Sequence, residues 1–172
     1  MSGGKPTPAQ YAQAFASWQT EAPVPAAAES RLTLELASLR ALAGVRRQVR
    51  AFLSAALATD DSRAGTPEAD AAEEAIDQAI LVIDELASNA LRHGSPPSSL
   101  HLCDEPDRWL VIVTDSAPSR PPTPALERPA GQGGYGLYVI ADLTGTHGVH
   151  YEPDRKMVWA CINKPHPAPG RP

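Results

Sequence analysis

The sequence predicts an α/β protein: a two-layer sandwich with helices on one face of a mixed, mostly antiparallel sheet. Short stretches of strand character fall into pairs joined by turn clusters of hairpin length. Two longer stretches carry apolar residues at helical spacing on one side only. Helical stretches also lie between the strand pairs rather than after each strand, so hairpins and not parallel crossovers build most of the sheet.

The elements follow in order. Arg31-Leu32-Thr33-Leu34-Glu35-Leu36 alternates apolar and polar residues with the period of a half-buried strand. Leu42, Val45, Val49, Phe52, Leu53 and Ala56 then recur at helical spacing, with Arg40, Arg47 and Arg50 on the opposite, basic side. An acidic connection from Asp60 to Glu68 ends that helix. The longest helix spans about Ala69 to His93, with Ile76, Ile80, Ile83, Ala87 and Ala90 along one stripe, and Gly94 with Ser95-Pro96-Pro97 stops it. Ser99–Cys103 and Trp109–Thr114 read as an antiparallel pair around Asp104-Glu105-Pro106-Asp107-Arg108. Tyr135–Leu143 reads as a helix opened by glycines. His147–Tyr151 and Met157–Ile162 read as a last hairpin around Glu152-Pro153-Asp154-Arg155.

A length of 172 residues suits one domain. With 42% hydrophobic residues, only 5% aromatic, the core must come from Ala, Leu, Val and Ile, and the chain is too apolar to be disordered. Its net charge of −5 offers no field for polyanions, so direct nucleic-acid binding is not expected. No run approaches the roughly 20 apolar residues of a membrane span, and the first residues lack the apolar centre of a signal peptide, so a cytoplasmic protein without a membrane partner is expected. Cys103 and Cys161 stand far apart in apolar segments, without metal-ligand spacing, and read as buried thiols. The 18 prolines, well above the usual share of about 5%, mark the edges. Residues 1–29 are expected to form a flexible Ala/Pro-rich arm, 30–164 the folded domain and 165–172 a Pro-rich tail. A third proline cluster, from Pro118 to Pro129, leads into a glycine stretch, and a long internal loop of this kind in a compact domain points to function.

Three features carry chemistry. Glu85 and Asn89 are four residues apart, so both project from one side of the long helix inside an otherwise mostly apolar run, and the polar edge of an amphipathic helix is the plainer reading of the pair alone. A carboxylate there could take a proton from an attacking hydroxyl, and an Asn oxygen suits Mg²⁺, which binds protein through few ligands plus phosphates. The stretch Gly131-Gln132-Gly133-Gly134-Tyr135-Gly136-Leu137 immediately precedes a helix, where glycines admit a phosphate and free N–H groups face it. It is neither a Walker loop nor a dinucleotide fingerprint, since no Gly-Lys-Ser/Thr and no first strand accompany it. Asp115 ends the apolar strand Trp109–Thr114 at the rim of the core, where a carboxylate can accept from an exocyclic amine; a turn-forming Asp is the plainer reading of that residue alone.

Glu-x-x-x-Asn on a helix, Asp at a strand end and a glycine-rich loop opening a helix, in that order, resemble the ATP site of the histidine-kinase-like (Bergerat-fold) ATPases. Asp84-Glu85-Leu86-Ala87-Ser88-Asn89-Ala90-Leu91-Arg92-His93-Gly94 and Gly133-Gly134-Tyr135-Gly136-Leu137 are similar to the N box and second glycine box of the anti-sigma-factor serine kinases. The likeness runs from Leu32 to Ile162 and includes Lys156-Met157-Val158-Trp159. It implies Glu85 as general base, Asn89 as Mg²⁺ ligand, and Asp115 as the adenine-reading carboxylate. Gly131, Gly133, Gly134, Gly136 and Leu137 would lie around ATP, and residues 116–132 would form the lid. It further implies a sigma factor and an anti-anti-sigma (STAS-type) protein as partners, and leaves room for a homodimer. The chain departs from the family at Ala117 and Ser119, where relatives have glycines, and at Met157, where relatives often have Thr. Those departures support an alternative: a non-catalytic module of the same fold that sequesters a regulator without phosphate transfer. The ATP domain of a histidine kinase is a third reading, disfavoured because no dimerisation hairpin with a phospho-accepting histidine is present.

Overall fold

The computed structural model describes residues 7–26, 29, 31–57, 65–123 and 135–166. Five strands, β1 (Leu32–Glu35), β2 (Ser99–Asp104), β3 (Arg108–Asp115), β4 (Thr146–Tyr151) and β5 (Lys156–Asn163), form one sheet in the order β1-β2-β3-β5-β4. Every pairing between them is antiparallel. Among the described residues, parallel pairing is confined to the isolated bridge between Glu21 and Val149. The expected hairpins are β2–β3 and β4–β5, and β5 is the strand that joins them by pairing with β3.

Alternation along the strands turns Leu100, Leu102, Trp109, Val111, Val113, Val158, Ala160 and Ile162 toward the helices. Against them pack α2 (Leu42–Ala56), through Val45, Val49 and Leu53, and α3 (Pro67–His93), through Ile76, Val82, Ile83 and Leu86. Each such side chain, fully buried, contributes about 1.5–3 kcal/mol. Thr66 caps α3, its hydroxyl accepting from the Ala69 N–H at 3.2 Å, and Pro67 opens the helix where no N–H is needed. The basic side of α2 faces solvent, as expected, and makes surface ion pairs with α3: Arg46 stands 3.2 Å from Asp84, and Arg50 reaches Asp77 at 2.5 Å and Glu73 at 3.4 Å.

Within the amino-terminal segment expected as an Ala/Pro-rich arm, residues Pro8–Gln19 form α1, opened by a capping box in which Thr7 and Gln10 exchange hydrogen bonds. Trp18 of α1 is fully buried, and its indole N–H donates to the Leu137 carbonyl of α4 (Tyr135–Leu143) at 3.0 Å. The chain then crosses the other face of the sheet, where Ala22 and Val24 lie against Leu110, Trp159, Cys103 and Cys161. The Trp159 indole N–H donates to the Ala22 carbonyl at 3.1 Å. Both cysteines are free and buried, as the sequence predicts. None of the described helices is long and apolar enough to cross a membrane.

Candidate functional site

Helix α3, β3, β5 and the start of α4 converge on one cavity of about 330 Å³, within the size range of small-molecule sites. Asn89, Asp115 and Leu137, expected from separate parts of the sequence to meet a nucleotide, all line it. Asn89 stands on α3 with its side-chain Nδ2 buried and, among the described residues, without a hydrogen-bond partner. A buried amide donor left unpaired costs about 1–3 kcal/mol, so a phosphate oxygen brought to it would find a ready donor. The same carboxamide carries the oxygen that a Mg²⁺ would need. Among the described residues no three His, Cys, Asp or Glu side chains gather to hold a metal by themselves, so the donor set fits a cation that enters with phosphate ligands rather than one caged by protein.

Glu85, one turn earlier, is half-buried and sits against Gly136. A Cβ at Gly136 would collide with the Glu85 carboxylate, so glycine is required there by the approach of that side chain to the first turn of α4. Burial is the main cause that raises the Glu85 carboxyl above the usual carboxylate range; the negative charge of Asp84 adds to it and Arg92 opposes it. A raised carboxyl is a better proton acceptor once ionised. Gly131, Gly133, Gly134 and the expected lid beyond Thr123 lie outside the described residues.

Asp115 is 1% exposed at the end of β3. Its Oδ1 accepts from the Ala117 N–H at 2.9 Å, which is the turn expected of a strand-ending Asp. It also meets a partner that the sequence does not announce: Lys156 Nζ lies 2.8 Å from Oδ1 and 2.8 Å from Oδ2, and 3.3 Å from the Ala117 carbonyl. Asp115 and Lys156 are register partners on β3 and β5. Met157, the next residue, falls by strand alternation on the sheet face away from the cavity, so the position that meets the expected adenine-reading carboxylate is Lys156. Gly94 serves the same corner. A Cβ there would come within 2.5 Å of both the Ala90 carbonyl oxygen and Asp115 Cγ, so this glycine lets the strand end pack on the helix end, besides stopping α3.

Residues 35–162, well over half of the chain, match the histidine kinase-like ATPase domain family. The chain belongs to that family. Its five-stranded antiparallel sheet under α2, α3 and α4 is the α/β sandwich of the Bergerat ATPase fold. A histidine kinase-like ATPase domain is an ATP-binding regulatory module, and in this chain α3 and the start of α4 meet at the cavity. No curated protein matches the chain. Helix α1 and the segment after it precede the matched region, so Trp18 packs on α4 of this histidine kinase-like ATPase domain from outside the match. Arg92, His93 and Arg120 also line the cavity. The basic pair at the end of α3 reads from sequence as helix-dipole compensation, and Arg120 lies in a Pro-rich loop whose path the sequence does not reveal. Arg92 and Arg120 bring positive charge to the exposed side of the cavity, which suits a polyphosphate.

Proposed function

We propose that this ATP-binding module is a protein serine kinase that phosphorylates an anti-anti-sigma (STAS-type) partner and sequesters a sigma factor. The observation that carries the reading is the contact of Glu85 with the glycine at the start of α4, beside the unpaired Asn89 amide on the cavity wall. In the proposed reaction the serine oxygen bonds to the γ-phosphorus while its proton passes to Glu85. The bond to the β,γ-bridging oxygen breaks and ADP leaves. Asn89 Nδ2, Arg92 and Arg120 would hold phosphate oxygens. A Mg²⁺ held through Asn89 would supply neutralisation of the triphosphate charge.

Incubating the full chain with γ-labelled ATP, Mg²⁺ and candidate anti-anti-sigma proteins tests the proposal. Label on a partner serine is the expected result, and a chain inert toward every such partner sinks the kinase reading even if ATP binds. One observation favours the non-catalytic alternative: Asp115 is already engaged by a buried lysine, and Ala117 replaces a family glycine beside it. On that reading the partner serine is never labelled and sigma-factor retention is indifferent to substitution of Glu85 and Asn89.

A further inference from the structure

We propose that Lys156 is a base-recognition residue, which pairs with Asp115 to form a two-point reader for the edge of adenine: Asp115 accepts from the N6 amine and Lys156 donates to N1. The inference rests on the reading of the cavity as an ATP site. A lysine that is 4% exposed in a ligand cavity calls for a reason beyond neutralising one aspartate, because a buried ion pair contributes little net stability against apolar replacement.

The hydrogen-bond capacity of the pair shows what is left for a ligand. Asp115 Oδ1 takes two donors, the Ala117 N–H and Lys156, whereas Oδ2 takes Lys156 alone and keeps one lone pair. Lys156 has three N–H donors. Its Nζ stands 2.8 Å from each carboxylate oxygen, and its contact with the Ala117 carbonyl is the longest of the three, at 3.3 Å. An incoming base can therefore gain both groups while displacing only that weakest contact. Adenine carries a donor at N6 and an acceptor at N1, both bonded to C6 and on one edge, the complement of an acceptor beside a donor. The residue at the altered glycine position takes part: Ala117 gives its N–H to one member of the pair and its carbonyl to the other, so the turn without glycine is held by the same lysine.

Calorimetric titration of the full chain with ATP, 1-deaza-ATP and GTP, each with Mg²⁺, tests the assignment. 1-deaza-ATP keeps the N6 amine and the triphosphate but replaces N1 by C–H. ATP is expected to bind about tenfold to a hundredfold more tightly than 1-deaza-ATP, the value of one hydrogen bond to a charged group. The double variant Asp115→Asn with Lys156→Met removes both charges together, leaves no buried ion unpaired, and should bind the two adenine nucleotides equally. Equal affinity of the unaltered chain for ATP and 1-deaza-ATP would overturn the role of Lys156 and leave the ATP site standing. Tighter binding of GTP would assign the pair to the guanine O6 and N1–H and overturn the adenine assignment. If no nucleotide bound at all, the ATP reading itself would fall, and this proposal with it.

Discussion

Glu85 and Gly136 form a unit at the residue scale, and two substitutions probe it from opposite sides. Glu85→Gln keeps the size and removes the base, so phosphate transfer to a partner serine should fall by about 10²–10⁴-fold with ATP affinity nearly unchanged. Gly136→Ala places a methyl where the carboxylate lies. It should displace Glu85 and cost transfer on the order of 10²-fold, the usual price of misplacing a reacting group by about 1 Å; transfer at the unaltered rate would show that the contact has no catalytic role. Asp115→Ala leaves Lys156 buried without its counter-ion, and should destabilise the fold by about 3–5 kcal/mol. Denaturant unfolding measures that, and a loss below about 1 kcal/mol would mean the pair is not buried as described. Asp115 was legible in the sequence because a lone carboxylate ended an apolar strand. The role of Lys156 was not, since it depends on the register of β5 against β3, two strands with α4 and β4 between them in the chain.

At the scale of the element, α1 shows how a real helical signal can be overruled. Tyr11, Ala14, Phe15 and Trp18 stand at helical spacing, yet prolines on both sides give the segment the look of a linker. Capping by Thr7 and burial of Trp18 decide otherwise. Trp18→Ala should cost about 3–5 kcal/mol, seen as a lower denaturant midpoint at unchanged slope; a midpoint unmoved would mean that α1 is not docked. The docking also has a pH signature. His147 lies against the Trp18 ring, with centroids 4.5 Å apart, and its Nε2 is 2.8 Å from Ser17 Oγ. Burial lowers its pKa below the ordinary value of 6.5, so below that pH the unfolded chain binds a proton that the folded chain resists. The stability from neutral His147 is therefore complete above about pH 6.5 and is lost as the pH falls toward the folded value. His101, lowered by burial and then by Arg155, adds with the same sign, while the raised Glu85 carboxyl acts with the opposite one. Unfolding of the His147→Gln variant across this range isolates the contribution, and should show a shallower loss on acidification. An unchanged slope would rule out His147 as its source.

For the whole molecule, the hairpins, the long α3 and the sandwich were all legible, because each rests on local periodicity. The sheet order was not: nothing local to β4 and β5 says that β5 rather than β4 should pair with β3. That choice brings Lys156 and Val158 into the cavity beside Asp115 and completes a site whose other walls, Asn89 and Leu137, come from helices on either side of the β2–β3 hairpin. In the proposed function the cavity between α3, α4 and the β3–β5 pair would seat ATP, with Asn89 at its phosphate end and Asp115 at its base end. Calorimetry of the full chain with ATP, in the presence and absence of Mg²⁺ and repeated for Asn89→Ala, tests this most directly. One ATP should bind per chain, more tightly with Mg²⁺, and Asn89→Ala should lose that Mg²⁺-dependent gain. Binding indifferent to both Mg²⁺ and Asn89, or no binding, would contradict the proposed function.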